Sequence, residues 1–374
     1  MELRYSYPRI LFGAGTAEEL PRLSPADARR VLLVMGRSSE SNGLKDRFSA
    51  LLADFDVVES IGAVPAEPPL DCVEELVSLG RSENVDAVVA VGGGSVIDAA
   101  KTAAAVIPLD GSAGDYFGVA GRDAIPLPRK GLFFAALPTT AGTGAEVTRN
   151  AVLTDTSTGI KKSIRSDFMV PDVAVVDPEL TLSLPADITA NSGFDALTQA
   201  IESFTCPAAT VATKALAEAA VVKIMGSIES SCADGGDIAA RSDMAEGSLL
   251  SAMSFSQSGL GAVHGLAHPL GAALKLPHGF VCAVLLPYIL ELNAEAAAGD
   301  YSRLSRALGL DSVDAFTAEI RSLEKKLGVP EGFDGLEKER YPFILSNCRG
   351  RSMKGNPRHL SNEEITALLD RLAG

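Results

Sequence analysis

Ala87-Val88-Val89-Ala90-Val91-Gly92-Gly93-Gly94-Ser95-Val96-Ile97-Asp98-Ala99-Ala100-Lys101 is the stretch from which the fold can be read. It opens on an unbroken apolar run, of a length that suits a strand buried on both faces of a parallel sheet. It closes on an Ala-rich segment of helical character. The glycines between them let backbone amides approach an anion at the helix N-terminus, where the dipole favours negative charge. Ser95 suits the helix N-cap and also a phosphate oxygen. The plain alternative is a tight turn that holds nothing.

Working outward, Val31 to Met35 (VLLVM), Leu132 to Leu137 (LFFAAL) and Val173 to Val176 (VAVV) are further continuous apolar runs. Helix-like segments such as Glu40–Leu52 and Leu70–Ser78 lie between them. Strand then helix, repeated, predicts a doubly wound, mostly parallel α/β layer. The character changes at Leu184-Pro185-Ala186-Asp187, beyond which Ala, Leu and Glu dominate. Helical patterns then run over 186–204, 211–228 and 239–253 and onward to Leu372. The reading is an α/β dinucleotide-binding domain over residues 1–184 and an all-α domain over 185–374.

Composition narrows the function. The 374 residues are 47% apolar and 22% charged, which excludes intrinsic disorder. Lys and Arg number 33 against 48 Asp and Glu, a formal charge of −15. Such a surface repels phosphate backbones and anionic lipids, so neither nucleic acid nor membrane is expected as a partner. Cys72, Cys206, Cys232, Cys282 and Cys348 are odd in number and never form C-x-x-C, the usage of a reducing compartment. The opening MELRYSYPRILFG carries charge and Pro where a signal peptide needs an apolar run. A cytoplasmic protein is expected.

A second loop follows the run at 132–137: Pro138-Thr139-Thr140-Ala141-Gly142-Thr143-Gly144-Ala145-Glu146-Val147-Thr148. Its hydroxyls and glycines suit a phosphate or ribose, although alone it is any Thr-rich turn. Two such loops after two strands converge on the carboxyl edge of a sheet, where α/β proteins bind ligands. Neither matches the P-loop pattern, so a P-loop NTPase is disfavoured.

Three of the four histidines, His264, His268 and His278, fall in GLGAVHGLAHPLGAALKLPHG. His264 and His268 are spaced to share a helix face, and the chain breaks at Pro277 just before His278. In GFDALTQAIESF, Asp195 and Gln199 share a face of another helix. A lone His on an apolar helix is usually a core residue; three clustered beside Gly and Pro point to a site.

Taken with PRILFGAG at Pro8–Gly15, VVDPELT at Val175–Thr181 and NPRHLS at Asn356–Ser361, these motifs make the chain resemble the iron-containing (group III) alcohol dehydrogenases over nearly its whole length. The resemblance implies an active site in a cleft between the two domains, a small alcohol or aldehyde substrate, and a homodimer. It places Gly93, Gly94 and Ser95 on the pyrophosphate, with Asp98 counted in the same cofactor-binding set. Thr139, Thr140 and Thr143 would line the phosphates and the nicotinamide ribose. Asp195, His264 and His278 would hold the metal, and His268 would carry a proton. The family's fourth ligand is a His four residues after the Asp; this chain has Gln199 there. Glutamine is a neutral, weaker donor. Three protein ligands plus water or substrate is nonetheless the normal arrangement of a catalytic zinc site, so Fe²⁺ or Zn²⁺ is expected. The alternative is a metal-free reductase resembling the maleylacetate reductases. A non-catalytic nucleotide-binding protein is a third reading, which the retained phosphate loops and histidines disfavour.

Two finer expectations complete the reading. Arg349, Arg351, Lys354 and Arg358 cluster in an otherwise acidic chain and suit an anionic group on the substrate, unless they are only a solvated loop. The VLLVM run ends in Gly36-Arg37-Ser38-Ser39 rather than in the acid that accepts from a ribose 2′-hydroxyl. Gly36, Arg37 and Ser38 therefore predict NADP in preference to NAD, unless the segment merely opens the next helix.

Overall fold

The computed structural model describes residues 6–25, 28–119, 123–155 and 160–373, so the first five residues of the opening segment lie outside it. The chain divides into two compact units, residues 1–184 and 185–374.

The first unit holds β1 (Arg9–Phe12), β2 (Arg30–Met35), β3 (Asp56–Ile61), β4 (Ala87–Gly92) and β5 (Phe133–Pro138). An antiparallel pair follows, β6 (Asn150–Asp155) with β7 (Ile160–Arg165), and then β8 (Val173–Val176). The six-stranded sheet has the order β1-β8-β5-β4-β2-β3, with every neighbouring pair parallel. Helices α1 (Leu44–Leu51), α2 (Leu70–Ser82) and α3 (Gly94–Val106) cover it. Val31, Leu33, Met35, Val89 and Val91 pack on one side with Leu20 and Phe48 of the flanking segments. Leu32, Val34, Val88 and Ala90 pack on the other with Leu76, Val77 and Ile97. Both faces are dry, which is why the central strands are apolar without alternation.

The chain leaves β2 outward to β3, then crosses back to pair β4 on the other side of β2. The strand order thus reverses between β2 and β4, and the loops after these two strands open on the crevice where α/β sheets take ligands. The expected α1 is shorter than its pattern. Residues 37–39 form a 3₁₀ turn, Gly43 takes a left-handed φ of 79°, and the helix starts only at Leu44.

Lys101 fixes the Thr-rich loop from beneath. It is 1% exposed, and its Nζ donates to the carbonyls of Ala145 (2.7 Å), Thr148 (3.0 Å) and Asn150 (2.8 Å). Asp98 Oδ1 lies 3.7 Å away. Burial pulls the ammonium pKa down to about 8, against the opposing pull of Asp98 and Glu146. Lys101→Met takes the ammonium donor from these carbonyls, leaving the one Thr148 hydroxyl to serve Ala145 or Asn150, and leaves Asp98 without its cation. It is expected to cost about 3 kcal/mol in denaturant unfolding, since each charged hydrogen bond contributes roughly 1.5–3 kcal/mol. An unchanged midpoint and slope would show the ammonium to be dispensable.

The second unit is helical: α4 (Ala186–Thr205), α5 (Val211–Ala233), α6 (Ile238–Ser258), α7 (Ala262–Leu274), α8 (His278–Asn293), α9 (Ala298–Ala307), α10 (Val313–Lys326) and α11 (Asn362–Leu372). Helix α4 is buried continuously from Gly193 to Thr205 and packs against α5, α6 and α8. Lys275 in the left-handed region (φ 56°) ends α7, and Pro277 precedes α8, so the chain folds back and the two helices pack together. No helix among the described residues is long and apolar enough to cross a membrane.

Candidate active site

In the helical unit, α4, α7 and α8 bring the predicted donors together. Asp195 Oδ1 lies 3.2 Å from His264 Nε2 and 3.7 Å from His278 Nε2. Asp195 is 4% exposed and His264 2%, whereas His278 and His268 are half-buried. The His268 ring stacks on His278 at 4.9 Å and 17° between planes. His268 and His278 are therefore on the less buried side of the cluster.

Burial pushes the Asp195 carboxyl up, but His264 donating to it, the charges of His278 and His264, and a bond from Gln199 hold it below the usual range. His264 lies between two carboxylates: Asp195 on Nε2 and Glu202 on Nδ1, the latter at 2.6 Å. Burial opposes its charge, yet Glu202 and Asp195 together push its pKa up to about 10. The two carboxylates make the pocket favour positive charge, and a divalent ion binding at Nε2 must displace any proton held there.

Glu202 went unread in the sequence. Asp195, Gln199 and Glu202 are spaced i, i+4, i+7, so one face of α4 presents all three, and that spacing was the available signal. Its Oε2 orients His264 while Oε1 accepts from the Val263 N–H at 2.6 Å, capping α7. A Cβ at Gly261 would come within 2.8 Å of Glu202 Oε1, so the approach requires glycine. Asn356 of the NPR segment serves the same helix end, accepting from Ala262 N–H at 3.3 Å and pairing with Asn293. Cys282, one turn after His278, also went unread; its Sγ lies 3.7 Å from His278 Nε2.

Gln199 is 4% exposed, and its Oε1 meets no hydrogen-bond donor among the described residues. A buried carbonyl oxygen without a donor beside an anionic pair and two imidazoles suits a cation. The residues present therefore fit a divalent metal.

In the first unit, α3 begins at Gly94 with Gly93 as its N-cap, so Ser95 is not the cap predicted for it. Gly93 takes the extended conformation that starts the helix (φ −72°, ψ 179°). Among the described residues no side chain caps this end, which leaves its first N–H groups open to an anion. Ser95 Oγ instead accepts from Glu67 N–H at 3.2 Å, keeping its own proton to donate. A Cβ at Gly94 would come within 2.6 Å of Thr143 Oγ1, and one at Gly93 within 3.5 Å of Thr140 Cγ2. Thr139 N–H donates to the Gly92 carbonyl at 3.0 Å. The two loops thus meet as one cradle. Asp98 Oδ2 accepts from Val152 N–H at 2.9 Å, and burial pushes its carboxyl up to about 6. Gly36 follows β2 beside that cradle, its position 3.7 Å from Val96 Cγ2 once a Cβ is added.

The basic segment divides. Arg349 donates to the Leu360 carbonyl and Asn362, and Arg358 to the Leu292 carbonyl and Glu364, so both serve the fold. Arg351 and Lys354 remain exposed, on a short turn (Arg351–Lys354) that packs against α7 where Gly265 meets Met353.

Two family profiles cover most of the chain. Iron-containing alcohol dehydrogenase matches residues 8–178, and the Fe-containing alcohol dehydrogenase family C-terminal profile matches 189–373. Long-chain-alcohol dehydrogenase 1 of Geobacillus thermodenitrificans is 36% identical over 88% of this chain and 87% of its own length. The NADPH-dependent butanol dehydrogenase of Clostridium saccharobutylicum is 32% identical over 98% and 97%. The crystal structure of sulfoacetaldehyde reductase from Bifidobacterium kashiwanohense in complex with NAD⁺ matches with a TM-score of 0.93 and 31% identity, covering 100% of this chain and 99% of that one. The chain belongs to the iron-containing alcohol dehydrogenase family and is an NAD(P)-dependent oxidoreductase acting on the CH–OH group.

Proposed function

We propose that the protein is a metal-dependent, NADP-preferring reductase of small aldehydes that carry an anionic group. The observation that carries the metal is the convergence of His264 Nε2 and His278 Nε2 on Asp195 Oδ1, at 3.2 and 3.7 Å. Asp195, His264 and His278 hold Fe²⁺ or Zn²⁺, with the Gln199 amide oxygen beside them. When bound, the cation supplies Lewis-acid polarisation of the substrate oxygen, and the nicotinamide supplies the hydride. The chain's own part is to orient, to exclude water and to move one proton. Glu202 holds His264 in the tautomer that turns Nε2 toward Asp195. His268, half-buried against His278, passes the proton between solvent and the product alcohol. The phosphates of the coenzyme lie on the free N-terminus of α3, between Gly93, Gly94 and Ser95 and the threonines at 139, 140 and 143.

The anionic group is supported by Arg351, exposed on the turn that packs against α7, and by the sulfonate in the name of the Bifidobacterium relative. The free, scattered cysteines support a cytoplasmic location.

The test is elemental analysis of protein purified without added metal, with turnover measured before and after chelation on paired charged and neutral aldehydes. Chelation is expected to abolish turnover. Full activity in a metal-free preparation would replace this reading by a metal-free reductase. Arg351→Ala is expected to raise KM for sulfonate- or carboxylate-bearing aldehydes about tenfold, a change of roughly 1.4 kcal/mol in binding. KM for neutral aldehydes should stay where it was. Equal KM values in wild type and variant for both classes would sink the anionic substrate.

A further inference from the structure

One thiol in the helical unit is placed as no other is. Cys282 is fully buried, and it follows His278 by four residues, so both point from one face of the first turns of α8. Its Sγ is 3.7 Å from His278 Nε2. One donor atom each from Asp195, His264, His278 and Cys282 all lie within 4.8 Å of one another. Around a tetrahedral ion with bonds of about 2.0–2.1 Å to N or O and about 2.3 Å to S, neighbouring donors stand roughly 3.3–3.6 Å apart. Three of the six separations, 3.2, 3.7 and 3.7 Å, stand close to that range, and the others lie within 4.8 Å.

The other thiols of this unit are engaged differently. Cys206 donates to the Ser258 carbonyl, Cys232 to the Ala186 carbonyl and Cys348 to the Leu345 carbonyl. They behave as small buried or half-buried core groups. Cys282 alone among them stands within 4 Å of a predicted metal donor.

We infer that Cys282 Sγ is the fourth protein donor to the cation, and that it makes the site selective for zinc over iron. The inference rests on the metal-dependent reading above. Gln199 offers a neutral amide oxygen where the resemblance expects an imidazole, so the chain lacks one strong donor on α4. The thiolate of Cys282 restores it from α8. Bound as thiolate, Cys282 would join Asp195 as a second anionic donor in direct contact with the divalent ion, while the buried Glu202 carboxylate stands behind His264. The thiol proton goes to solvent as the sulfur–metal bond forms, as it does for any thiolate ligand. A soft sulfur donor favours zinc over ferrous iron. Held by these four donors, the ion would still supply Lewis-acid polarisation of the substrate oxygen.

Cobalt(II) reports on sulfur ligation without any turnover. The full-length protein is stripped with chelator, loaded with cobalt(II), and read in the near ultraviolet for the sulfur-to-cobalt charge-transfer band. The expected result is one cobalt per chain with that band present, lost in Cys282→Ser and retained in Cys232→Ser. Zinc affinity should fall about 10–100-fold in Cys282→Ser, and the zinc-over-iron preference in competition should narrow. Cys282→Ala, which buries no hydroxyl, gives the same reading if the serine variant does not fold. One cobalt per chain without a charge-transfer band in the wild type overturns the inference and leaves the metal site standing. Folded protein that binds no cobalt at stoichiometry overturns both.

Discussion

His264→Ala is expected to empty the cation site and to lower kcat/KM by roughly 10³-fold or more, because a Lewis acid on the substrate oxygen contributes several kcal/mol to the transition state. The size of the effect follows from where His264 stands. Its two ring nitrogens are spoken for on both sides, by Asp195 Oδ1 at 3.2 Å and Glu202 Oε2 at 2.6 Å. Removing the ring leaves two buried carboxylates, 4% and 5% exposed, facing a cavity with no positive charge between them. Glu202→Gln is the graded companion. It keeps the shape and a hydrogen bond to the α7 end but loses the charge that supports His264, so metal affinity should fall about 10–100-fold with folding retained. Metal per chain and turnover are measured on the same preparations. A His264→Ala protein with full metal content would show that Asp195 and His278 find another partner, and the assignment of His264 as a ligand would fail.

The contrast between Glu202 and Asp195 shows how much of this site the sequence makes legible. Asp195 and the histidines stand in motifs whose spacing places them on helix faces, and a rare residue type clustered in a short span is conspicuous. Glu202 sits on the same α4 face, but one more Glu in a chain with 48 acidic residues draws no notice until the fold turns it toward an imidazole. Cys282 is hidden for the opposite reason: buried in an apolar run on α8, it reads as a small core residue. The central strands are equally plain in the sequence, since β2, β4 and β5 are dry on both faces. The edge strands are not. Asp56-Val57-Val58-Glu59-Ser60-Ile61 has one neighbour and a wet side, so its charges break the apolar run by which β4 was found. Strand β1, Arg9–Phe12, lies at the other edge with an exposed residue at each end. The β6–β7 hairpin was likewise unread, because pairing outside the main sheet leaves only every second residue of β6 buried. The turn at Gly43 leaves no mark in the pattern, because a left-handed glycine interrupts a helix without changing its apolar spacing.

The protein is expected to prefer NADP over NAD by tenfold or more in kcat/KM, and the reason lies at the end of β2. Gly36 follows the strand on the crevice side of the sheet, with its N–H bonded to the Val91 carbonyl of β4 at 3.4 Å. An acid at this point would accept from a ribose 2′-hydroxyl and repel a 2′-phosphate; this chain puts no carboxylate there. Of the rival reading, that Gly36-Arg37-Ser38-Ser39 is merely a turn opening the next helix with Ser as its N-cap, the capping does not hold, because α1 starts at Leu44 behind Gly43. The segment is a separate 3₁₀ turn with no side-chain cap. Its hydroxyls are not equivalent, however. Ser39 is 2% exposed and donates to the Gly36 carbonyl at 2.6 Å, so it holds the turn and is spent. Arg37 and Ser38 are exposed and are left to meet a phosphate by charge-assisted hydrogen bonds. The glycine after β3 comes close to Arg37: a Cβ on Gly62 would lie 3.5 Å from Arg37 Cα. Gly36→Asp is sterically allowed, since φ is −70° and the added Cβ meets only Val96 Cγ2 at 3.7 Å. The substitution should therefore reverse the preference without unfolding the sheet. Arg37→Ala should raise KM for NADP about 10–100-fold, the weight of one charged hydrogen-bonding group, and leave KM for NAD unchanged. The relatives include both coenzymes by name, so the measurement is open in either direction. A wild type that favours NAD by tenfold, or a Gly36→Asp protein with an unaltered ratio of catalytic efficiencies, would show that the end of β2 does not read the ribose.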